Sequence, residues 1–237
     1  MPRPATPEAI ERHPHLADPC PDGYVRVDFH SHTMWSGDST TTPDELIETV
    51  EASGIDVLCI TDHNAIRGAV ELADDLSCRV VIGEELKTHA GEIIGLFLQE
   101  RIPQGIPPAE AARNIREQGG LVYIPHPFDP LRNNLREDVL DELVGAGLVD
   151  GIEVFNGKTS LQSLNRKAAE YARDHDLAPG AGSDAHVAEA IGSVYHEMPD
   201  FEDPASFLQA MRRGTAIGHH YDPPRRWRPR IVPSTSS

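Results

Sequence analysis

With 237 residues, 39% of them apolar, the chain is long enough for one large α/β domain or two small ones and can bury a sizeable core. Lys and Arg number 21 against 38 Asp and Glu, a formal net charge of −17. That imbalance argues against a protein that coats nucleic acid or an anionic membrane, though not against an anionic substrate, because bound cations can reverse the local field. The three cysteines, Cys20, Cys59 and Cys78, form no spaced pair; no run approaches a membrane span, and the N-terminus lacks the apolar segment of a signal peptide. A cytoplasmic protein with no disulfide framework and no membrane partner is expected.

In chain order, residues 1–22 are rich in proline and polar residues and read as an N-terminal extension that wraps the surface or stays mobile. Residues 23–221 read as one folded domain. Short β-branched runs occur at 25–29, 56–60, 79–82, 92–98, 121–124 and 151–155, and a further strand is expected at 177–182. Helical spacing lies between most of them. One helix starts at Thr42-Pro43-Asp44-Glu45, where Thr42 can cap, Pro43 fits the first turn and Glu45 completes a capping box; Gly54 can end it. A second runs from Pro108 to Gln118 and stops at Gly119-Gly120, and a third places Leu161, Leu164, Ala168 and Tyr171 on one face. Residues 222–237, with Arg225, Arg226 and Arg228, read as a flexible tail. Strand and helix in alternation predict parallel pairing with right-handed crossovers. A closed or nearly closed barrel is preferred, an open doubly wound sheet being the alternative without its usual nucleotide-binding glycine motif.

The informative pattern is positional. Val25 to Phe29 leads into His30-Ser31-His32, and the run ending at Ile60 leads into Thr61-Asp62-His63-Asn64. The run ending at Ile82 leads into Gly83-Glu84, that ending at Ile124 into Pro125-His126-Pro127, and that ending at Gly182 into Ser183-Asp184-Ala185-His186. In parallel α/β barrels, side chains from different strands converge at this C-terminal rim. Each piece alone has an ordinary explanation: a surface H-x-H, a capping Asp, an exposed Glu, a loop histidine. Chance must place His, Asp or Glu at five strand ends to explain them all, so a site for cations held by imidazoles and carboxylates is expected there. Asp28 shares a face with His30 and His32, where an unpaired carboxylate would be costly.

DFHSHT (28–33), ITDHN (60–64), GEE (83–85) with PHP (125–127), and GSDAH (182–186), in this order, resemble the motifs of the PHP superfamily of metal-dependent phosphoesterases. The resemblance implies a distorted TIM-like barrel of about seven βα units with two or three divalent ions, Mn, Fe or Zn, at its rim. It implies that His30, His32, Glu84 and Asp184 hold one ion, that Glu84 bridges to a second with His126, and that His63 and His186 hold a third. Asp38 is the best candidate to complete the third site, although it stands one residue later than in the common family form. Where many members carry a histidine on the strand after the glutamate, this chain has Glu92-Ile93-Ile94-Gly95, so Glu92 can replace that ligand. His89 is the alternative.

Clustered cations acidify water and neutralise charge on phosphoryl oxygens, so the expected reaction is hydrolysis of a phosphomonoester or phosphodiester of a small metabolite or nucleotide by metal-activated hydroxide. Asp28, Asp62 or a ligand carboxylate is available to relay the proton. Arg132 and Lys158 fall on rim loops and suit a phosphate; Arg67 is a weaker third. Glu153 suits hydrogen bonding behind the ligands. A small phosphorylated partner is expected, with no stable nucleic-acid partner. The competing readings are a hydrolase of carboxyl or carbamate esters and a non-catalytic PHP module.

Overall fold

The chain alternates strand and helix through most of its length, and the structure, a computed structural model that describes residues 3–224, turns that alternation into a nearly closed α/β barrel. Its elements are α1 (Pro7–Arg12), β1 (Tyr24–Ser31), α2 (Pro43–Ser53), β2 (Val57–Ile60), α3 (Arg67–Leu72), β3 (Arg79–Thr88), β4 (Gly91–Leu96), α4 (Pro108–Glu117) and β5 (Leu121–Ile124). They continue with α5 (Glu137–Gly145), β6 (Gly151–Asn156), α6 (Gln162–Asp174), β7 (Ala178–Gly182), β8 (Val194–Pro199), α7 (Pro204–Met211) and β9 (Thr215–Gly218). The strand order is β7-β6-β5-β4-β3-β2-β1-β8-β9. The capping box on α2 forms as its sequence dictates: Glu45 N donates to Thr42 Oγ1, Thr42 N donates to Glu45 Oε2, and Gly54 ends the helix at φ 70°.

Pairing is not uniformly parallel, β8 and β9 being antiparallel as well, and two of the departures matter for the rim. Only His89 and Ala90 separate β3 from β4, too few for a crossover, so β4 turns back antiparallel to β3 and β5. Its first residues therefore lie at the same rim as the last residues of the parallel strands. The second is closure. The lower half of β1 pairs antiparallel with β8, whereas beyond an irregularity between Asp28 and Ser31 the chain after β7 pairs with β1: Asp184 N donates to His30 O at 2.7 Å and His32 N to Ala185 O at 2.9 Å. Gly182 is needed at this seam, since a Cβ there would meet the His30 Cβ at 2.5 Å.

Strand alternation sorts side chains into an inner core and two outer cores. Val25, Val27, Phe29, Val57, Cys59, Val81, Ile94, Leu96 and Tyr123 fill the barrel. Leu58 and Ile60 pack outward under α2 and α3, and Val122, Ile124 and Ile152 outward under α4, α5 and α6. Leu161 departs from its expected place: it precedes the first turn of α6 and is exposed, whereas Leu164, Ala168 and Tyr171 pack inward.

Within residues 3–22, α1 docks through Ala9, and the short turn Pro14–Ala17 after it through Leu16, onto the α2–α3 core. His13 is buried there; its ring nitrogens lie 3.1 Å from His219 Nε2 and 2.9 Å from Glu189 O. Burial first, then the neighbouring His219 and His15, lower its pKa to about 4, against an ordinary 6.5. The unfolded chain therefore binds the extra proton between those values, and stability contributed at neutral pH is lost as the pH falls through that window. We expect His13→Gln to remove on the order of 2 kcal/mol of the difference in urea-unfolding free energy between pH 7 and pH 4.5; equal pH dependence in both proteins would contradict the assignment. Of the expected tail, residues 222–224 have no regular structure, while Arg225, Arg226 and Arg228 lie outside the described residues. No helix among the described residues is long and apolar enough to cross a membrane.

Candidate metal centre

The rim gathers the scattered histidines and acids as its geometry predicts. The irregularity in β1 lets Phe29 stay in the inner core while His30 and His32 both reach the rim, with their Nε2 atoms 3.0 Å apart. Asp184 Oδ1 lies 3.7 Å from His30 Nε2 and 3.4 Å from His32 Nε2. His126 follows β5, and His63 follows β2 through an isolated bridge to Glu85. His186 Nε2 lies 3.0 Å, and His63 Nε2 3.5 Å, from Asp38 Oδ2. The expected one-residue displacement of Asp38 is absorbed by the short turn Met34–Ser36, capped by Thr33, and by Gly37 at φ 84°.

One expected ligand is displaced by its neighbour. Glu84 does not face the cluster: its Oε2 accepts the Ile102 N–H at 2.8 Å on the outer side of β3. Glu85 takes the central place, with Oε2 3.3 Å from His30 Nε2, 3.3 Å from His32 Nε2 and 3.1 Å from His63 Nδ1, and Oε1 2.9 Å from His126 Nε2. The cause is the two-residue period of a strand: Val81, Gly83 and Glu85 share the inward face, and Ile82, Glu84 and Leu86 the outward one. Glu92, at the start of the reversed β4 and on the face of Ile94 and Leu96, lies 3.8 Å from both His63 Nδ1 and His126 Nε2. His89 is exposed in the β3–β4 turn and outside the cluster.

Behind these groups stands a layer of hydrogen bonds. Glu153 accepts from His126 N at 2.6 Å and Asn156 Nδ2 at 2.9 Å and faces His30 Nδ1 at 3.3 Å. Ser36 Oγ sits 2.8 Å from His32 Nδ1 and accepts His63 N at 3.0 Å. Asn156 carries no signal in sequence, since it acts only through partners brought by other strands. Asp28 accepts Ser183 N and Oγ and His30 N, and burial outweighs those donors to raise its pKa to about 7. Asp62 accepts Thr33 N and Thr33 Oγ1, each at 2.6 Å. Both acids are thus enclosed and occupied in holding rim segments, rather than placed as proton relays. His126 at φ 27° and Asp184 at φ 51° adopt backbone conformations uncommon outside glycine, the kind of strain that clusters at functional sites.

Arg132 and Lys158 also arrive. The Arg132 guanidinium binds Asp184 Oδ2, and Lys158 Nζ lies 3.6 Å from Asp184 Oδ1 and 3.0 Å from His186 Nδ1. Arg67 is instead an exposed partner of Glu71, one turn along α3. Tyr195 and His196 are core residues, His196 bonding Met211 O.

Burial opposes ionisation of Glu85 and Asp184, but neighbouring cations outweigh it: His30 and His63 hold Glu85, and Arg132 and Lys158 hold Asp184, well below the usual carboxylate range. Burial also opposes protonation of His63, yet Glu85 and Asp38 raise it to about 9. Glu92 is pushed up by burial and then by the charge of Glu85.

These residues fit metal ions. Buried Glu85 Oε2, Asp184 Oδ1 and His126 Nδ1 have no hydrogen-bond partner, although the two carboxylate oxygens lie among imidazole nitrogens. Ligand atoms about 2.1 Å from one ion stand roughly 3 to 3.5 Å from one another, close to the 3.0–3.8 Å found here. Four overlapping groups meet the requirement: His32, Asp38, His63 and His186; His30, His32 and Glu85; His30, His126 and Asp184; and His63, Glu85 and Glu92. Mixed imidazole and carboxylate donors suit Mn, Fe or Zn.

Fold and site together define an α/β barrel whose rim carries several His/Asp/Glu clusters that could hold metal ions. Sequence comparison places the chain within a family: residues 28–104 match the PHP domain and residues 162–216 the PHP-associated C-terminal region. The chain belongs to the PHP family. It is 42% identical over 145 residues to an uncharacterized protein of Methanocaldococcus jannaschii, covering 56% of this chain and 82% of that protein. Among solved structures, it resembles a two-domain protein of Bacteroides vulgatus containing a predicted PHP-like metal-dependent phosphoesterase, with TM-score 0.68 and 22% identity, over 85% of this chain and 67% of that one. It also resembles a lesion-specific endonuclease of Pyrococcus furiosus, with TM-score 0.64 and 15% identity, over 80% and 56% of the respective chains. The TIM-like barrel expected from the motifs is thus the fold, with nine strands in place of about seven repeated units.

Proposed function

We propose that the protein is a metal-dependent phosphoesterase acting on a phosphomonoester or phosphodiester of a small metabolite or nucleotide. The observation that carries this reading is the convergence of Arg132 and Lys158 on Asp184, at the edge of the histidine–carboxylate cluster. Cations bound by that cluster supply acidified water and neutralise charge on phosphoryl oxygens. The guanidinium and ammonium groups bind and orient the phosphoryl oxygens, Arg132 through a planar fork that matches two of them. Glu153 and Ser36 fix the imidazole rings of His30 and His32. Asp28 and Asp62 position the segments that carry the ligands. The cluster opens to solvent at Asp38 and His63, whose side chains are 40% and 24% exposed, so substrate enters on that side.

The test is metal analysis of the purified protein together with turnover of phosphomonoesters, phosphodiesters and carboxyl esters after loading with Mn, Fe or Zn. Release of phosphate or cleavage of a diester is expected, with a drop of about a hundredfold or more in Arg132→Ala. Turnover confined to carboxyl esters, or undiminished in the variant, would overturn the reading.

A further inference from the structure

Two rim loops carry the cationic groups of the centre. Residues 125–136, between β5 and α5, hold Arg132, and residues 157–161, between β6 and α6, hold Lys158. The strands beneath them pair in parallel, Tyr123 with Gly151 and Ile124 with Ile152. Beyond that pairing the two side chains meet on Asp184, Arg132 binding Oδ2 and Lys158 Nζ standing 3.6 Å from Oδ1. Two cations gathered on one carboxylate repel each other. Their separation therefore depends on what anchors each backbone.

Buried Asp129 is such an anchor for both. Within its own loop its carboxylate accepts Leu131 N at 3.1 Å, and its carbonyl accepts Arg132 N at 3.1 Å. From the other loop the same carboxylate accepts Ser160 N at 2.7 Å, Ser160 Oγ at 2.6 Å and Thr159 Oγ1 at 3.3 Å. Lys158 immediately precedes these two residues, so one side chain ties the backbone that carries the guanidinium to the backbone that carries the ammonium. Burial opposes the charge on Asp129, but the Ser160 donors outweigh it and hold the carboxyl below its ordinary pKa, so it accepts these bonds as an anion. The residue before it is strained: Phe128 stands at φ 69°, uncommon for a bulky side chain, and packs edge-on against Tyr171 with ring centroids 5.4 Å apart.

We propose that Asp129 is a positioning residue: it sets the separation of Arg132 and Lys158, so that both groups reach the oxygens of one phosphoryl group. The proposal rests on the phosphoesterase reading. Two binding groups act together only at the right spacing, and a misplacement of about 1 Å can cost on the order of a hundredfold. Asp129 bonds loop groups and acts on the substrate through Arg132 and Lys158. Its removal therefore loosens the grip on phosphate while the cation ligands stay in place.

The experiment titrates inorganic phosphate into the manganese-loaded protein by calorimetry and measures kcat and KM for phenyl phosphate. We expect Asp129→Ala to retain its metal, to bind phosphate about tenfold more weakly and to lose about tenfold in kcat/KM, through KM. Asp129→Asn keeps the shape with one accepting oxygen fewer; it should change in the same direction, and it stands in if the alanine variant fails to fold. In the Arg132→Ala background, Asp129→Ala should cost about twofold or less, because the separation it sets has lost one end. A purely structural role would cost the same in both backgrounds. Unchanged phosphate affinity in the Asp129 variants, or equal losses in the two backgrounds, overturns the positioning role and leaves the phosphoesterase reading standing. If the wild type cleaves no phosphate ester, that reading falls and the phosphate titration alone decides the positioning. A wild type that neither cleaves a phosphate ester nor binds phosphate overturns both.

Discussion

Glu85→Gln should lower the metal content of the centre, since two of its four ligand groups contain Glu85, and lower hydrolysis about a thousandfold, equivalent to roughly 4 kcal/mol of transition-state stabilisation, whereas Glu84→Gln should leave metal content and rate nearly unchanged. The two residues are adjacent in sequence and both buried, so the contrast is a direct reading of strand geometry. Glu85 faces four imidazoles, and its removal leaves His30, His32, His63 and His126 without their shared carboxylate. Glu84 faces the backbone of Ile102, and a glutamine oxygen can accept the same N–H. Burial also raises the Glu84 pKa to about 7, so the neutral amide resembles a form it already approaches near neutral pH. Metal stoichiometry by elemental analysis and rates for one ester in both variants decide the matter. Loss of metal in Glu84→Gln with retention in Glu85→Gln would reverse the assignment.

Chelation should produce the other large effect, on stability. Glu85, Glu92 and Asp184 are brought together in a buried rim, and the charge of Glu85 already disfavours ionisation of Glu92. Bound cations relieve that repulsion and bind only the folded arrangement. A site saturated a hundredfold above its dissociation constant contributes about 2.7 kcal/mol, so two sites contribute roughly 5 kcal/mol. In a domain of this size that corresponds to a rise in Tm of about 10 to 20 °C. Thermal unfolding of the wild type with EDTA, and again after adding manganese, should show a loss of that order and its recovery. Glu85→Gln should show a smaller response to both treatments than the wild type. A wild-type Tm that does not move with chelation would mean that no cations are held by these residues.

The fold was legible because its signals are local and repeated. Thr42, Pro43, Glu45 and Gly54 specify α2 within a dozen residues, and the β-branched runs between helices mark strands of a barrel. The site was legible to the extent that parallel strands deliver their last residues to one rim, which brought His30, His32, His63, His126, Asp184 and His186 together from their positions in the chain. What failed was resolution to one residue. Choosing Glu85 over Glu84 requires the phase of β3 relative to the barrel, and that phase comes from Val81 packing among residues of other strands.

By itself, the sequence determined which residue types reach the rim and that they suit divalent cations, because a strand end and an imidazole are both local properties. Tertiary structure alone decided the rest: which glutamate turns inward, that β4 reverses so that Glu92 lies at the rim, and that Asp129 ties two loops beside Arg132 and Lys158. Each of these depends on pairing between residues distant in the chain, and such pairing is set by register and closure of the sheet rather than by any one segment's composition.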